Sequence, residues 1–486
     1  MPLPPTAGFD ALDAETISQV RRRFQELGFG PEVLATAESS APGQLDAVSL
    51  PLVRWCLRQR ADPASWLARL FSYGEVLSRA AAQERLGATV LAALCRGGLL
   101  HESSEGVRCL YRLVPLEGLY LVGDEPSAGE DAVMGPGPTT LELLDQLPLH
   151  CDSSALDIGT GAGTLALVLA ARGATRVVAT DLNERATTLA RFNARLNGLE
   201  VDVRTGDLGA PVRGERFGWV VSQPSYVFRP TGAGQVTFLH GGARGDELAF
   251  RLLEEVPPLL SEDGTALILF DTPTRPTQPL AERVRACVGG SLDLVLLASP
   301  GHSANAQAVA YAALEDPQLG PAYAEAVERN RSYLEELGLK DWTHLLVVLR
   351  GHPDRPGGFT AQLPVPVLRQ GGPLALVSLL SALETALLDD ARLLATRLLL
   401  HPGVSVSGAL SSRDGSWTIT ARGGFGALAS TCTLDQEDLQ LFQALEDAPQ
   451  LRQALLGDGD PDPARLARVR ELTSRGILIP APRSAG

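Results

Sequence analysis

The chain has 486 residues, 45% of them apolar and 20% charged, with a formal net charge of −15 at pH 7. That length allows about three domains of ordinary size, and the apolar share excludes a disordered chain. The acidic balance argues against a broadly basic nucleic-acid binder; nearly all basic residues are arginine, with Lys340 the one lysine.

Cys56, Cys95, Cys109, Cys151, Cys287 and Cys432 are scattered rather than closely paired, which suggests neither a zinc site nor a disulfide framework. Such thiols fit a reducing compartment. The opening MPLPPTAGFDALDAE lacks the basic start and apolar core of a signal peptide. The longest apolar runs, such as Leu165 to Ala171, fall short of a membrane span. A cytoplasmic setting is expected, with no membrane partner.

Residues 10 to 120 read as mostly helical. Asp13 is placed to cap a helix whose apolar positions Ile17, Val20, Phe24 and Leu27 recur at helical spacing, ending at Gly28. Leu50 to Gln59, Pro63 to Phe71, Gly74 to Arg85 and Ala88 to Leu100 are further helical segments, and Val107 to Leu113 reads as a strand. A helix followed by Gly97-Gly98-Leu99-Leu100 and a short ribbon resembles a winged-helix module, so residues 1–122 form the first expected domain. Arg21-Arg22-Arg23 invites a nucleic-acid reading, but the plainer one is a solvated helix face.

Gly123 to Pro138 is turn-rich and acidic and reads as a linker. It leads into a helix from Leu141 to Leu147. Thr140 at that helix start could meet a cofactor carboxylate with hydroxyl and backbone N–H; simple N-capping by Thr139 or Thr140 is the alternative.

The most informative stretch is Ala155 to Asp181. Ala155, Leu156 and Ile158 make a buried strand end; Gly159, Thr160, Gly161 and Gly163 follow; then comes a helical run, and a second strand, Val177 to Thr180, ends on Asp181. Glycine tolerates positive φ and lets bare backbone approach a ligand. A carboxylate after the second strand can accept hydrogen bonds from a ribose diol. The loop has no Gly-Lys-Ser/Thr, so a triphosphate P-loop is disfavoured. Its glycines run G-x-G-x-G, and Asp157, two residues earlier, would repel a pyrophosphate but suit a cationic amino-acid moiety. These features point to S-adenosyl-L-methionine (SAM).

The units then alternate: helix Glu184 to Asn197, strand Val201 to Thr205 leading to Gly206-Asp207-Leu208, and strand Trp219 to Val221 ending at Ser222-Gln223-Pro224-Ser225-Tyr226. Helix Glu247 to Leu260 precedes strand Ala266 to Phe270, which ends on Asp271. Two more strands, Leu292 to Leu297 and His344 to Leu349, flank a helix from Ala322 to Leu337. The fold class expected is α/β, a doubly wound Rossmann-like sheet with ligands at the carboxyl ends of the strands. Each singled-out motif lies at such an end. His240 sits near the expected mouth, though alignment rather than base catalysis is what methyl transfer mainly requires. The other histidines show no metal-ligand spacing, and no metal is expected.

Ala155 to Phe270 resembles a class I SAM-dependent methyltransferase. Within that class it is similar to the methyltransferase small domain branch, which includes release-factor glutamine N5-methyltransferases and N6-adenine methyltransferases. Asp157 to Gly163 resembles the family's cofactor loop, Asp181 its ribose-binding acid, and Asp207 the residue beside the adenine. Leu182 and Leu208 follow those acids and belong with them among the expected cofactor contacts. Ala190 to Gly198 (ARFNARLNG) and His240 to Leu248 (HGGARGDEL) are typical of the branch. The resemblance implies a SAM-binding domain over residues 123–355.

The branch normally carries Asn-Pro-Pro-Tyr/Phe, or Asp in first place, where this chain has Gln223-Pro224-Ser225-Tyr226. An amide or exocyclic amino nitrogen is a poor nucleophile, because its lone pair is delocalised. The side-chain carbonyl and the following proline's backbone carbonyl accept its two N–H bonds and aim it at the methyl group. Gln223, Pro224 and Tyr226 are therefore the expected catalytic residues. Gln is one methylene longer than Asn, and Ser225 gives up the rigidity of a second proline.

Residues 356–486 change character: Pro364 to Leu368 is extended, Leu374 to Leu400 helical, and Val404 to Thr420 alternates as strands around Arg413-Asp414-Gly415. Leu434 to Leu445, Ala464 to Thr473 and Gly476 to Ile479 suggest an α+β, again winged-helix-like, interaction domain. Asp458 to Asp462 superficially suggests a calcium loop without the EF-hand ligand pattern. Three functions stay open: N-methylation of a protein amide or nucleic-acid base, tailoring of a small molecule, and a non-catalytic SAM-binding interaction protein.

Overall fold

The structure, a computed structural model, describes residues 3–39, 49–125, 129–231, 238–316, 319–352, 357–365, 372–410, 417–424, 431–455 and 462–481. The chain divides into two compact units, residues 1–144 with 150–362 and residues 145–149 with 363–486. Arg413-Asp414-Gly415 and most of Asp458 to Asp462 lie outside the described residues, as do parts of the expected linker and of Pro364 to Leu368.

The alternation of short apolar runs and helices in the first unit builds an eight-stranded sheet. Its strands are β1 (Ser154–Ile158), β2 (Arg176–Asp181), β3 (Asp202–Thr205), β4 (Phe217–Ser222), β5 (Leu260–Pro273), β6 (Asp293–Ser303), β7 (Asp341–Arg350) and β8 (Thr360–Pro364). They lie in the order β8-β6-β7-β5-β4-β1-β2-β3. β1 to β5 pair in parallel, whereas β7 runs antiparallel to both β5 and β6. The order reverses between β1 and β4, and a crevice opens at such a switch point. This is the mostly parallel, Rossmann-like sheet that the sequence predicts.

The associated helices are α1 (Pro138–Leu144), α2 (Thr164–Ala171), α3 (Glu184–Asn197), α4 (Glu247–Glu255), α5 (Leu280–Val288), α6 (Ala304–Glu315) and α7 (Pro321–Glu336). α6 corrects the sequence reading, which places only one helix between the last two strands. Its run ANAQAVAYAALE is alanine-rich, and Ser303 caps it by accepting from Ala306 N–H.

Residues before the sheet share its core. Asp13 caps the helix Ala14–Glu26 as expected, accepting from Thr16 N–H at 2.8 Å. Helices Arg79–Leu86 and Ala88–Arg96 lead to a hairpin, Leu100–Ser103 with Gly106–Cys109, which Leu77 joins by a bridge to Val107. The single strand expected from Val107 to Leu113 is two strands. The second, Arg112–Leu116, pairs with Leu119–Gly123, a buried strand that the sequence reading lacks. Phe9, Phe24, Phe71 and Tyr120 pack in one apolar cluster with Leu189, Phe192 and Leu196 of α3. The rings of Phe9 and Phe192 stack with centroids 4.1 Å apart.

The free edge of Leu119–Gly123 is closed by side chains. Asn193 accepts from Val122 N–H and donates to the Val122 carbonyl, both at 2.9 Å. One helical turn on, Asn197 does the same for Tyr120, both at 2.8 Å. Four residues of helix rise about 6 Å and two residues of strand about 6.7 Å, so the two amides stand in for a neighbouring strand. Arg21 donates to the Asn197 carbonyl at the end of α3, and Arg23 donates through Nε to the Arg85 carbonyl at 2.8 Å. Two of the three consecutive arginines therefore tie helix ends rather than forming a solvated face.

The second unit has its own core around Leu393, Leu398, Leu441, Val469, Leu472 and Ile477. It contains helices Gly372–Ala386, Asp390–Ala395, Gln436–Asp447 and Pro463–Ser474 and a three-stranded antiparallel sheet of Ser405–Leu410, Trp417–Arg422 and Thr431–Leu434. Leu398–Leu400 pairs with Leu478–Pro480. Among the described residues no helix is long and apolar enough to cross a membrane, and no cluster of side chains could hold a metal ion.

Candidate active site

A cavity of about 540 Å³ opens at the carboxyl ends of β1, β2 and β4. Its floor is the turn after β1, where Gly159, Gly161 and Gly163 have φ of +73°, +54° and +89°. A side chain is strained at each of these positions, so the turn keeps its backbone bare. Asp157, Gly159, Thr160 and Gly161 line the cavity, and Gly163 does not. A Cβ on Gly163 would come within 3.2 Å of the Ala190 Cβ, so this glycine serves the contact between α2 and α3.

Asp157 is buried, and one of its oxygens accepts from the Thr160 hydroxyl at 2.6 Å and from Ala166 N–H at 3.1 Å. Burial raises its pKa to about 7; the two hydrogen bonds oppose the rise and the charge of Asp181 adds to it. The carboxyl is thus poised to gain a cationic neighbour. Asp181, at the end of β2, accepts from Gly161 N–H at 2.8 Å through one oxygen and from Asn183 N–H at 2.9 Å through the other. A carboxylate has about four lone-pair sites, so it can accept from a further donor. Leu182, Asp207 and Leu208 complete this wall, and Asp207 pairs with Arg251 at 2.8 Å.

Across the cavity stands the segment after β4. Ser222 donates to the Ile158 carbonyl at 2.7 Å and locks the ends of β4 and β1 together. Gln223, Pro224, Ser225 and Tyr226 then line the cavity. The HGGARGDEL segment lies directly behind: a Cβ on Gly241 would fall 2.2 Å from the Ser225 carbonyl oxygen. Val227–Phe228 pairs in parallel with His240–Gly242, and His240 Nδ1–H donates to the Phe228 carbonyl at 3.0 Å. Burial lowers the pKa of His240, which favours the neutral ring.

α1 packs against this loop. It begins at Pro138, so Thr139 and Thr140 lie inside its first turn and neither is an N-cap. The Thr140 hydroxyl donates to Gln223 Oε1 at 2.7 Å, and the hydroxyls of Thr139 and Tyr226 are 3.1 Å apart. The extra methylene of Gln223 carries its carbonyl out to Thr140. Burial, followed by the charges of Asp271 and Glu142, pushes the Tyr226 phenol well above its ordinary range.

The structure therefore brings together Gln223, Pro224, Tyr226, Asp157, Gly159, Thr160, Gly161, Asp181, Leu182, Asp207, Leu208 and Thr140 around one cavity, with Gly163 just outside it. The sequence reading misses Met134, Arg229, Phe238, Leu239, Tyr311 and Leu314, which also line it. Tyr311 and Leu314 come from α6, whose serine cap and alanine run were the available signal. Asp271, read as an ordinary strand end, is hydrogen-bonded to His344 at 2.5 Å.

A doubly wound sheet with a glycine turn after its first strand, an acid after its second and an open carbonyl-bearing loop after its fourth defines a SAM-dependent methyltransferase. Residues 137–288 match the methyltransferase small domain family. A putative protein N5-glutamine methyltransferase of Methanocaldococcus jannaschii is 31% identical over 143 residues, 28% of this chain and 71% of that protein. The release factor glutamine methyltransferase of Deinococcus radiodurans is 36% identical over 182 residues, 34% of this chain and 64% of that protein. Among solved structures, the T. thermophilus 16S rRNA N2 G1207 methyltransferase in complex with AdoMet and guanosine is 17% identical, covering 49% of this chain and 64% of that one, with a TM-score of 0.28. The chain belongs to the methyltransferase small domain family, and its methyl donor is SAM.

The cavity fits that donor. A volume of about 540 Å³ lies within the range of small-molecule sites, roughly 300–1,000 Å³. The buried carboxyl of Asp157 suits an ammonium, the lone pairs of Asp181 suit a diol, and bare backbone lies between them.

Proposed function

We propose that this protein transfers a methyl group from SAM to the side-chain amide nitrogen of a glutamine in a protein substrate. The observation that carries this reading is the placement of the Gln223 carbonyl. It is fixed by the Thr140 hydroxyl at the cavity wall opposite the glycine turn, next to Pro224 and Tyr226. The names of the two relatives above, both glutamine methyltransferases, support the same acceptor class.

Bound SAM supplies an electrophilic methyl on a sulfonium. The chain's part is alignment. Asp157 would receive the ammonium, Asp181 the ribose hydroxyls, and Leu182, Asp207 and Leu208 the adenine side. Gln223 Oε1 and the Pro224 carbonyl would accept the two N–H bonds of the acceptor amide, with Tyr226 against its plane. Fixing the nitrogen in line with the methyl converts a bimolecular encounter into a positioned one. On taking the methyl group from the sulfonium, the acceptor nitrogen would give up one proton to solvent. The described residues of 1–122 brace the domain, and residues 356–486, with no catalytic constellation among the described residues, are assigned to substrate presentation. The free thiols support a cytoplasmic setting.

The test is incubation with methyl-labelled SAM and a fractionated lysate. Label recovered on glutamine after digestion of the protein fraction is expected. Label confined to nucleic acid or to small molecules would replace this acceptor, and no label with SAM binding intact would leave a non-catalytic binding protein.

A further inference from the structure

Beside the cavity, three charged side chains distant in sequence meet between α1, β5 and β7. His344 Nδ1 lies 2.5 Å from an oxygen of Asp271, its cross-strand neighbour on β5, and Nε2 lies 2.7 Å from an oxygen of Glu142 on α1. All three side chains are largely buried: 18% of His344, 8% of Asp271 and 21% of Glu142 is exposed. An imidazole ring can satisfy carboxylates at both nitrogens only when both carry protons, since a neutral ring sets a lone pair against one of them.

We propose that His344 is a positioning residue for methyl transfer: held as an imidazolium between Glu142 and Asp271, it clamps α1 to the sheet so that Thr139 and Thr140 set Tyr226 and Gln223. This rests on the assignment of Gln223 and Tyr226 to the acceptor, but not on which acceptor is used. Glu142 is two residues beyond Thr140 in the same short helix, so a shift of Glu142 carries both threonines with it.

The surroundings favour the charged ring. From β6, the residue beside His344 is Ser299, which is uncharged. The Tyr226 phenol faces Asp271 and Glu142, and Tyr311 on α6 faces Tyr226 and Asp271; burial above all keeps both phenols neutral. One imidazolium therefore answers two carboxylates. Burial alone would lower its pKa, but the hydrogen bonds and charges of Asp271 and Glu142 outweigh this and hold it up to about 9. Proton loss above that pH sets a lone pair against a carboxylate, loosens α1 and lowers turnover. Asp157 and Asp181, which face the donor, are not part of the clamp.

The experiment compares the full-length protein with His344→Gln and Glu142→Gln. Histidine-selective nitrogen NMR should show the His344 ring doubly protonated at pH 7.5, with its titration midpoint lowered by about one unit in Glu142→Gln. With an acceptor in hand, the alkaline limb of kcat should move down by the same amount. His344→Gln should lower kcat about tenfold while the KM for SAM stays within about twofold. Hydrogen exchange of α1 should quicken in His344→Gln while that of α2 is unchanged. A neutral ring at pH 7.5, or an alkaline limb that Glu142→Gln does not move, overturns the proposal. If glutamine proves the wrong acceptor, the NMR and exchange results still decide this inference separately.

Discussion

The Thr140 hydroxyl donates a 2.7 Å hydrogen bond to the side-chain carbonyl of Gln223, joining the first turn of α1 to the loop after β4. That bond fixes the carbonyl of the longer side chain, which is proposed to take the place of a shorter Asn. Gln223→Ala should lower turnover by about 10²- to 10³-fold, the loss typical of removing one preorganised polar group, and should leave SAM affinity unchanged. Thr140→Val, which keeps the shape and removes the hydroxyl, should cost about 1 kcal/mol in kcat/KM. Steady-state kinetics beside calorimetric SAM binding checks both. Turnover that survives Gln223→Ala would remove Gln223 from the acceptor site.

Asp157 gives a pH signature. With its pKa raised to about 7 in the free protein, the folded state holds a proton that the unfolded chain, near 3.8, has lost. Its contribution to stability is therefore present below about 3.8 and is lost as pH rises through about 7. On the proposed assignment the ammonium of SAM selects the ionised form, so affinity should improve up to tenfold per pH unit below about 7 and level off above it. Asp157→Asn should weaken binding and flatten that slope. Calorimetry across this range is the check.

Asp181→Ala should weaken SAM binding by about 1–3 kcal/mol, the cost of leaving buried hydroxyls unpaired. It also removes acceptors for Gly161 N–H and Asn183 N–H, so a modest loss of thermal stability should accompany it. An unchanged SAM affinity would contradict the ribose assignment.

The half of the cavity assigned to the cofactor was the legible half. Asp157, the glycines and Asp181 fall within one β-α-β unit, so their spacing alone sets them around one turn. Gln223 and Tyr226 were legible because they follow a strand of the same sheet. The Glu142–His344–Asp271 clamp was not, since His344 lies 202 residues from Glu142 and 73 from Asp271 and carries no spacing motif. Likewise the sequence marks ARFNARLNG as distinctive, but that its two asparagines pair with the backbone of Tyr120 and Val122 emerges only from packing.

Those asparagines should matter for folding. Asn193→Leu strands the N–H and carbonyl of Val122 in a buried setting and should destabilise the first unit by about 2–4 kcal/mol in urea unfolding. Asn197→Leu should do the same for Tyr120. Because the two amides pair with the same short strand one helical turn apart, the double variant should fall short of the sum. A loss no larger than that of an exposed substitution would show that the helix does not close the strand edge.

The most direct test is an experimental structure with S-adenosylhomocysteine, the product left after methyl transfer, bound to the protein. The ribose should meet Asp181, the amino-acid end should lie beside Asp157, and the sulfur should point toward Gln223, Pro224 and Tyr226. A reversed ligand, or a sulfur directed away from that loop, would contradict the account.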